Sequence, residues 1–347
     1  MMSSAAARWL EGVWYEGRAG AALLAPLAAV FALGAAFRRS MFRSGWRRAY
    51  RPKVPVVVIG NLSVGGTGKS PLVAALARLL RSRGLKPGIL TRGYGADVRA
   101  PIRVTRDSDA RQVGDEPVML ASSTGVEVVV CPDRAAGART LETLGVDVIL
   151  CDDGLQHYAL ARDLEVVVVD ARRGLGNGRL LPAGPLRESA QRLDSVDWVV
   201  SNGGEASETP PWRGRVGSLV MQLVPEAARS VADPLAWQSV ERWRGESVHA
   251  VAGIGHPARF FDLLRAAGIE PIEHAFADHH AFTAADFAFD DGRPILMTSK
   301  DAVKCAGFAD ARFWEIPVAT RLLPDGARGL VEAIETLCLA SKKSEPA

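Results

Sequence analysis

Cysteine is scarce and unpaired in this chain of 347 residues: Cys131, Cys151, Cys305 and Cys338 stand far apart, with no C-x-x-C pair. That spacing excludes a disulfide framework and a cysteine-built zinc site, and it reads as buried thiols of a reducing compartment. No internal repeat and no low-complexity tract beyond the alanines is present, so a repeat architecture is excluded as well. Disorder is excluded except at the ends, because 48% of the residues are apolar and only 23% charged. Acidic residues are nearly missing from positions 1–53, which hold nine Lys and Arg against two Glu, whereas the remainder holds 33 against 37. The overall charge of +3 therefore hides a local positive cluster. Its partner should be equally local, an anionic membrane surface and not a nucleic acid.

Ionisable groups are absent altogether from Ala19 to Phe37, and Arg38, Arg39, Arg43, Arg47, Arg48, Arg51 and Lys53 follow at once. A stretch of that length is near the minimum for crossing a bilayer, but it is mostly alanine and contains Gly20, Pro26 and Gly34. A helix lying in the interface fits better, with Trp9, Trp14, Phe37, Phe42 and Trp46 as anchors and the arginines on lipid phosphates. The soluble alternative is an alanine-rich helix packed on the domain. A secretory signal is disfavoured because the basic cluster follows the apolar run.

What the chain does contain is a strand, a glycine loop and a helix in succession. Val54-Pro55-Val56-Val57-Val58-Ile59 precedes Ser63-Val64-Gly65-Gly66-Thr67-Gly68-Lys69-Ser70, and Leu72 to Leu80 follows with helical spacing. Loop N–H groups and the positive end of a helix dipole converge there, Lys69 adds a full charge, and Ser70 offers a hydroxyl to a metal. The expected ligand is a nucleoside triphosphate, ATP, with Mg2+. The usual first glycine of such a loop is replaced by Ser63, while the remaining glycines and the Gly-Lys-Ser ending keep the phosphate cradle chemically complete. A glycine-rich turn without nucleotide is the bland alternative.

Apolar runs then alternate with helical patterns at 87–90, 126–130, 146–150, 164–169 and 196–200. Short continuous Val/Ile runs of this kind predict a parallel sheet covered by helices on both faces, a P-loop NTPase-like α/β fold. Functional loops should gather at the carboxyl ends of its strands. A polar, Pro/Gly-rich stretch at 203–215 marks a domain junction, and a second, smaller α/β unit is expected beyond it. Its strands are expected near 248–252, 270–276, 294–298 and 313–318, with a helix from Pro257 to Ala267. The domain plan is thus 1–53 as a membrane-associated helical segment, 54–215 as the kinase-like core, and 216–347 as the C-terminal domain, its last helix a candidate to return to the core.

Val146 to Leu150 ends in Cys151-Asp152-Asp153-Gly154, an apolar strand finishing in two carboxylates. An aspartate beside the loop serine suits Mg2+, a hard cation that takes carboxylate, phosphate and water oxygens, so Ser70, Asp152 and Asp153 are the candidate metal ligands. An ordinary Asp-Gly turn is the alternative. Arg187 and Glu188 follow a Pro/Gly loop, where an arginine could bind phosphate and a glutamate could position a sugar or metal; the alternative is a helix start. Arg134, after Asp133 at a strand end, reads as a substrate-phosphate contact or a structural ion pair. Lys300-Asp301 lacks the one-residue spacing of a guanine-reading motif.

Six ordered runs then carry a resemblance: Gly65 to Pro71, Thr91-Arg92-Gly93-Tyr94-Gly95, Val113 to Pro117, Asp152-Asp153-Gly154-Leu155-Gln156-His157, Leu181 to Glu188 and Phe276 to His280. With these the chain resembles the tetraacyldisaccharide 4′-kinases over nearly its whole length, through Thr298 to Cys305. The resemblance implies an enzyme that phosphorylates the lipid A disaccharide precursor on the cytoplasmic face of the Gram-negative inner membrane, without an obligate protein partner. It also implies that Asp115 and His279 act together on the acceptor hydroxyl; Arg92, Arg134, Gln156, Arg187 and Glu188 are the candidate substrate-binding residues. A poor sugar nucleophile is helped by an imidazole that a carboxylate polarises. On residues alone Asp115 reads as a helix cap and His279 as a surface-loop histidine. Leu155 and His256 depart from the commoner Phe and Asn, and neither removes a group the mechanism needs.

Two rivals remain at this level. Peripheral membrane ATPases of the partitioning or division-site type share a Gly-Gly-x-Gly-Lys loop, but they carry a lysine where this chain has Val64, and their membrane helix is usually C-terminal. A non-catalytic nucleotide-binding regulator leaves His279 and the basic N-terminus without a use.

Overall fold

The computed structural model describes residues 4–94, 96–203, 212–278 and 280–343. In chain order its elements are α1 (Ser4–Tyr15), α2 (Ala21–Arg43), β1 (Val56–Gly60), α3 (Lys69–Ser82), β2 (Pro87–Thr91), β3 (Ile102–Val104), α4 (Ala110–Val113), α5 (Asp115–Thr124), β4 (Glu127–Val130), α6 (Arg134–Thr143), β5 (Val148–Asp152), β6 (Leu164–Asp170), β7 (Trp198–Asn202) and β8 (Gly217–Pro225). There follow β9 (Ala228–Ser230), β10 (Trp237–Gln238), β11 (Ser247–Ala252), α7 (Pro257–Ala266), β12 (Glu270–Ala275), β13 (Ile295–Thr298), α8 (Ser299–Cys305), β14 (Phe313–Ile316), β15 (Val318–Leu322) and α9 (Pro324–Lys343). The chain folds into two compact units, one made of Met1–Lys69, Gly145–Gln222 and Leu322–Ala347, the other of Ser70–Leu144 and Leu223–Arg321.

The first unit is organised by parallel strands in the order β8-β7-β6-β1-β5. Every residue of β1, β5 and β7 is buried, which is why these strands read as continuous apolar runs instead of alternating ones. Parallel pairing aligns their carboxyl ends: Ile59 stands beside Asp152, Gly60 beside Val167 and Asp170 beside Asn202. The loop after β1 therefore opens on the edge where β5 and β6 deliver carboxylates and β7 an asparagine. Helix α9 also belongs to this unit, burying Leu330, Val331, Ile334 and Cys338, with Lys342 paired to Asp147 at 2.9 Å.

Helix α2 buries none of its residues, and Leu23, Val30 and Leu33 are 82%, 68% and 72% exposed. Among the described residues it is the one helix long and apolar enough to cross a membrane. A helix packed on the domain along that stripe would have hidden it, and α2 does not hide it. The anchor list also needs correction. Trp14 donates its indole N–H to the Pro182 carbonyl at 2.9 Å, and the Phe42 ring lies 6.2 Å from that of Tyr158, so both serve protein packing. Trp9, Phe37 and Trp46 are exposed.

In the second unit β4 pairs parallel with β2 and antiparallel with the short β3. A six-stranded sheet runs β10-β9-β14-β13-β11-β12, parallel from β14 to β12 and antiparallel at β9 and β10. Alternation along β11 sends Val248, Ala250 and Ala252 to a core with Phe260, Phe261 and Leu264 of α7, and Val251 to the opposite core with Phe282, Phe287 and Met297. All four cysteines are buried free thiols. Of the expected junction at 203–215, residues 204–211 lie outside the described residues.

Candidate active site

The glycine loop is held from both sides. Ser63 bridges Leu186, the Val64 N–H donates to the Pro185 carbonyl at 2.9 Å, and the Arg187 N–H donates to the Leu62 carbonyl at 2.7 Å. This extended ladder explains why Ser63 can stand where a glycine is usual: only Gly65 and Gly68 in the loop take positive φ, at 101° and 94°. Gly68 is also hemmed in, since a Cβ there would lie 2.1 Å from the Asn202 amide nitrogen and 2.7 Å from Met221. Asn202 Nδ2 instead donates to the Thr67 carbonyl at 2.8 Å, and Asn61 Nδ2 donates to the Gly65 carbonyl at 3.1 Å. With these carbonyls bonded to amides at the strand ends, the loop N–H groups are left to face an anion. Gly65 and Gly66 are exposed and Gly66 opens on empty space, whereas the buried Thr67 hydroxyl has no hydrogen-bond partner among the described residues. An open glycine loop of that kind fits a polyphosphate.

Charged side chains converge beside it. Asp153, in the left-handed region at φ 49°, lies 3.5 Å from Lys69 Nζ and 3.3 Å from Arg187 Nη1. Asp152 precedes it as the buried last residue of β5, and Gln156 Nε2 donates to the Asn61 carbonyl at 3.3 Å. Two cations on one carboxylate, next to a glycine loop, form a charged nest in which Lys69 and Arg187 flank Asp153. Ser70 stands in the first turn of α3. Among the described residues no three His, Cys, Asp or Glu side chains cluster to hold a metal on their own. The carboxylates of Asp152 and Asp153 are instead a sparse oxygen set, suited to Mg2+, which keeps waters and takes phosphate oxygens.

Glu188 is turned inward. Its Oε2 accepts from the Tyr158 hydroxyl at 2.8 Å and lies 3.3 Å from Arg192 Nε, while its buried Oε1 has no partner among the described residues. Burial first, then the Glu188 charge, push the Tyr158 phenol up to about 12, so it stays a neutral donor.

The second unit carries a separate polar patch. Asp115 opens α5 directly after Gly114 and is 6% exposed; its Oδ1 accepts from the Glu116 N–H at 3.0 Å, and the cap position belongs to Gly114, so Asp115 is not the helix cap. Lys304 Nζ lies 3.4 Å and Lys300 Nζ 3.9 Å from its Oδ2. Lys300 also reaches Asp278 at 3.1 Å and Glu116 at 3.8 Å. Burial alone would lower the Lys300 ammonium, but Glu116, Asp115 and Asp278 outweigh it and hold it above the ordinary lysine value. Asp301, fully buried, ties this patch together: it accepts from the Gly253 N–H, the Thr298 hydroxyl and Lys304. His279 lies outside the described residues; its neighbour His280 meets Asp286 at 3.4 Å.

Arg134 is 2% exposed and its Nη1 donates to the Cys131 carbonyl at 3.0 Å, so it braces a strand end. Its neighbour Asp133 caps α6 through the Ala135 and Ala136 N–H groups. Arg92, by contrast, is exposed just after β2. Sequence reasoning did not single out Asn61, Asn202, Lys304 or Arg173. The available signals were asparagines at the ends of apolar strands and two lysines four apart, one helical turn, in α8.

A family model described as tetraacyldisaccharide-1-P 4′-kinase matches residues 20–338. The chain belongs to that family. A tetraacyldisaccharide 4′-kinase of Alkalilimnicola ehrlichii is 52% identical over 302 residues, covering 87% of this chain and 88% of the relative. One of Azoarcus sp. is 49% identical over 324 residues, covering 93% and 94%. The fold is similar to the crystal structure of an "apo" form of this kinase from Aquifex aeolicus in complex with ATP, with a TM-score of 0.77, 28% identity, and coverage of 91% of this chain and 99% of that one. The described members are kinases, and the family is an α/β enzyme family to which this architecture conforms.

Proposed function

We propose that the protein transfers the γ-phosphate of ATP to the 4′-hydroxyl of a tetraacylated diglucosamine 1-phosphate, a step of lipid A biosynthesis. The observation that carries the reading is the nest at the glycine loop, where Lys69 and Arg187 flank Asp153 beside the open loop from Gly65 to Gly68. Backbone N–H groups of Gly65 to Ser70 bind the polyphosphate while Ser63 and Val64 anchor the loop through Leu186 and Pro185, Lys69 neutralises charge on its outer phosphates, and the asparagines behind the loop keep it in shape. Bound Mg2+, held by the Ser70 hydroxyl and a carboxylate of Asp152 or Asp153, would draw charge off the phosphate oxygens. On the acceptor side Asp115 and His279 assist loss of the hydroxyl proton, with Lys300 and Lys304 holding Asp115 in place. Arg187, Glu188, Gln156 and Arg92 are the candidates for holding the sugar or its phosphate.

The exposed apolar stripe of α2 and the arginines that end it support docking on an anionic membrane, at the cytoplasmic face where ATP and the lipid acceptor meet. The partitioning-type ATPase reading gains nothing, because Val64 stands where its signature lysine would be. The deciding measurement is phosphate transfer from labelled ATP to a purified monophosphorylated tetraacyl disaccharide in mixed micelles. Labelled lipid is expected; ATP hydrolysis indifferent to the lipid would overturn the reading.

A further inference from the structure

The segment after β6 carries an arginine that the nest does not account for. Asp170 ends β6, and its Oδ1 accepts the N–H groups of Arg172 at 3.0 Å and Arg173 at 3.3 Å, turning the chain back. Gly65, exposed in the glycine loop, has one atom close to the space its missing Cβ would fill: Nη1 of Arg173, at 3.8 Å. The guanidinium thus lies beside the loop where the loop is open. It is held there from the N-terminal side of the chain. Its carbon sits 4.7 Å from the centre of the Tyr15 ring, and its Nη2 is 3.4 Å from Glu11 Oε1.

Helix α1, which supplies both partners, is itself pinned to the same segment. The Asn177 N–H donates to the Trp14 carbonyl at 2.8 Å, Asn177 Nδ2 donates to the Val13 carbonyl at 3.2 Å, and Trp14 Nε1 donates to the Pro182 carbonyl. Val13 is 1% exposed, so the end of α1 is seated and not merely adjacent.

We propose that Arg173 is a further phosphate-binding residue of the nucleotide site, positioned by the face of Tyr15 on α1. This rests on the nucleotide reading above. A guanidinium stacked on an aromatic face keeps its planar fork of donors oriented at little further entropic cost, and phosphate oxygens match that fork. Glu11 is about half exposed and engages a single nitrogen, so it aims the group without satisfying it. The N-terminal segment is thereby part of the shell of the phosphate loop, and Tyr15 is a positioning residue.

The test is equilibrium ATP binding to the full chain in detergent micelles, combined with hydrogen exchange across residues 4–15 to report whether α1 stays docked. Arg173→Gln should weaken ATP binding about tenfold or more, as loss of one charged hydrogen bond would, with protection of α1 unchanged. Arg173→Lys should fall between it and the parent, and serves in its place if Arg173→Gln does not fold. Tyr15→Leu, which removes the ring face, should lose affinity several-fold. Unchanged ATP affinity in Arg173→Gln would overturn the proposal, and so would a loss of affinity that appears only together with loss of α1 protection. Failure of the parent protein to bind ATP would overturn the nucleotide reading itself, with Lys69→Ala as the reference for a lost phosphate contact.

Discussion

The glycine loop and the patch around Asp115 are two solutions to holding charge, built from different material. The loop uses backbone: N–H groups, two glycines at positive φ and carbonyls bonded to Asn61 and Asn202, with Lys69 as its own full charge. The patch holds its charge chiefly with side chains: Asp115 and Asp301 are buried and balanced by Lys300 and Lys304, and each also accepts one backbone N–H, from Glu116 and Gly253. A backbone anion site needs only a short contiguous run, because the donors come with the chain. A buried carboxylate must find counter-charges, since an unpaired one costs several kcal/mol, on the order of 3–5 when a partner is removed. The loop should therefore fail when its geometry is changed, and the patch when its charge balance is.

The largest expected effect lies on the loop. Lys69→Ala should lower turnover by about 10²–10³-fold or more while leaving the fold intact, measured by phosphate transfer together with a thermal melt. Near-normal turnover would remove the loop from the chemistry. Gly68→Ala tests geometry without touching charge: the new Cβ meets Asn202 and Met221 at a positive φ, so both ATP binding and melting temperature should fall. A variant that bound ATP normally would show the loop to be more compliant than its packing implies.

On the patch, Asp115→Ala should depress kcat by a factor on the order of 10² with little change in ATP affinity, as expected for assistance realised in the transition state. If Asp115 and His279 act as one unit, the double variant with His279→Ala should be hardly worse than the more damaged single one; multiplicative losses would mean independent roles. Lys304→Met removes a counter-charge and should cost less, roughly tenfold in kcat, together with a lower melting temperature. The loss of melting temperature should be partly reversed in Lys304→Met/Asp115→Asn, where Asp115 no longer leaves an unpaired carboxylate. If Lys304→Met behaved as the parent, charge balance would not be what holds the patch.

The smallest effect expected is on alkaline stability. The folded Lys300 ammonium titrates above its unfolded value of 10.5, so its contribution is complete below pH 10.5 and decays as pH rises further. Lys300→Met should therefore lose stability at neutral pH yet flatten the decline above pH 10.5, read from denaturant midpoints. An unchanged alkaline limb would assign that decline to other groups.

Much of the fold and of the site is legible in the sequence, for reasons that differ by element. Strands β1, β5 and β6 announce themselves as Val/Ile runs because burial on both faces removes alternation. The short β3, β9 and β10 give no such signal; β3 is exposed over two of its three residues, and the apolar pattern is correspondingly weak. The burial of Arg134 is not legible, because Asp-Arg at a strand end looks the same whether the arginine faces solvent or turns inward to a carbonyl. Trp14 and Phe42 mislead for a similar reason, since an aromatic beside a basic run can dock on protein as well as on lipid.

Local composition dictates whatever one stretch of backbone can encode. The glycine loop with its lysine, the buried parallel strands and the uncharged run ending in arginines are each a short pattern with a local physical consequence. Which distant side chains become partners is settled by the three-dimensional packing and by nothing in the chain order: Arg187 with Asp153, the two lysines of α8 with Asp115, and Arg173 with Tyr15. Pairings of that kind follow from how parallel strands align their ends and how helices pack. Those long-range arrangements leave no fixed spacing in the chain to be read.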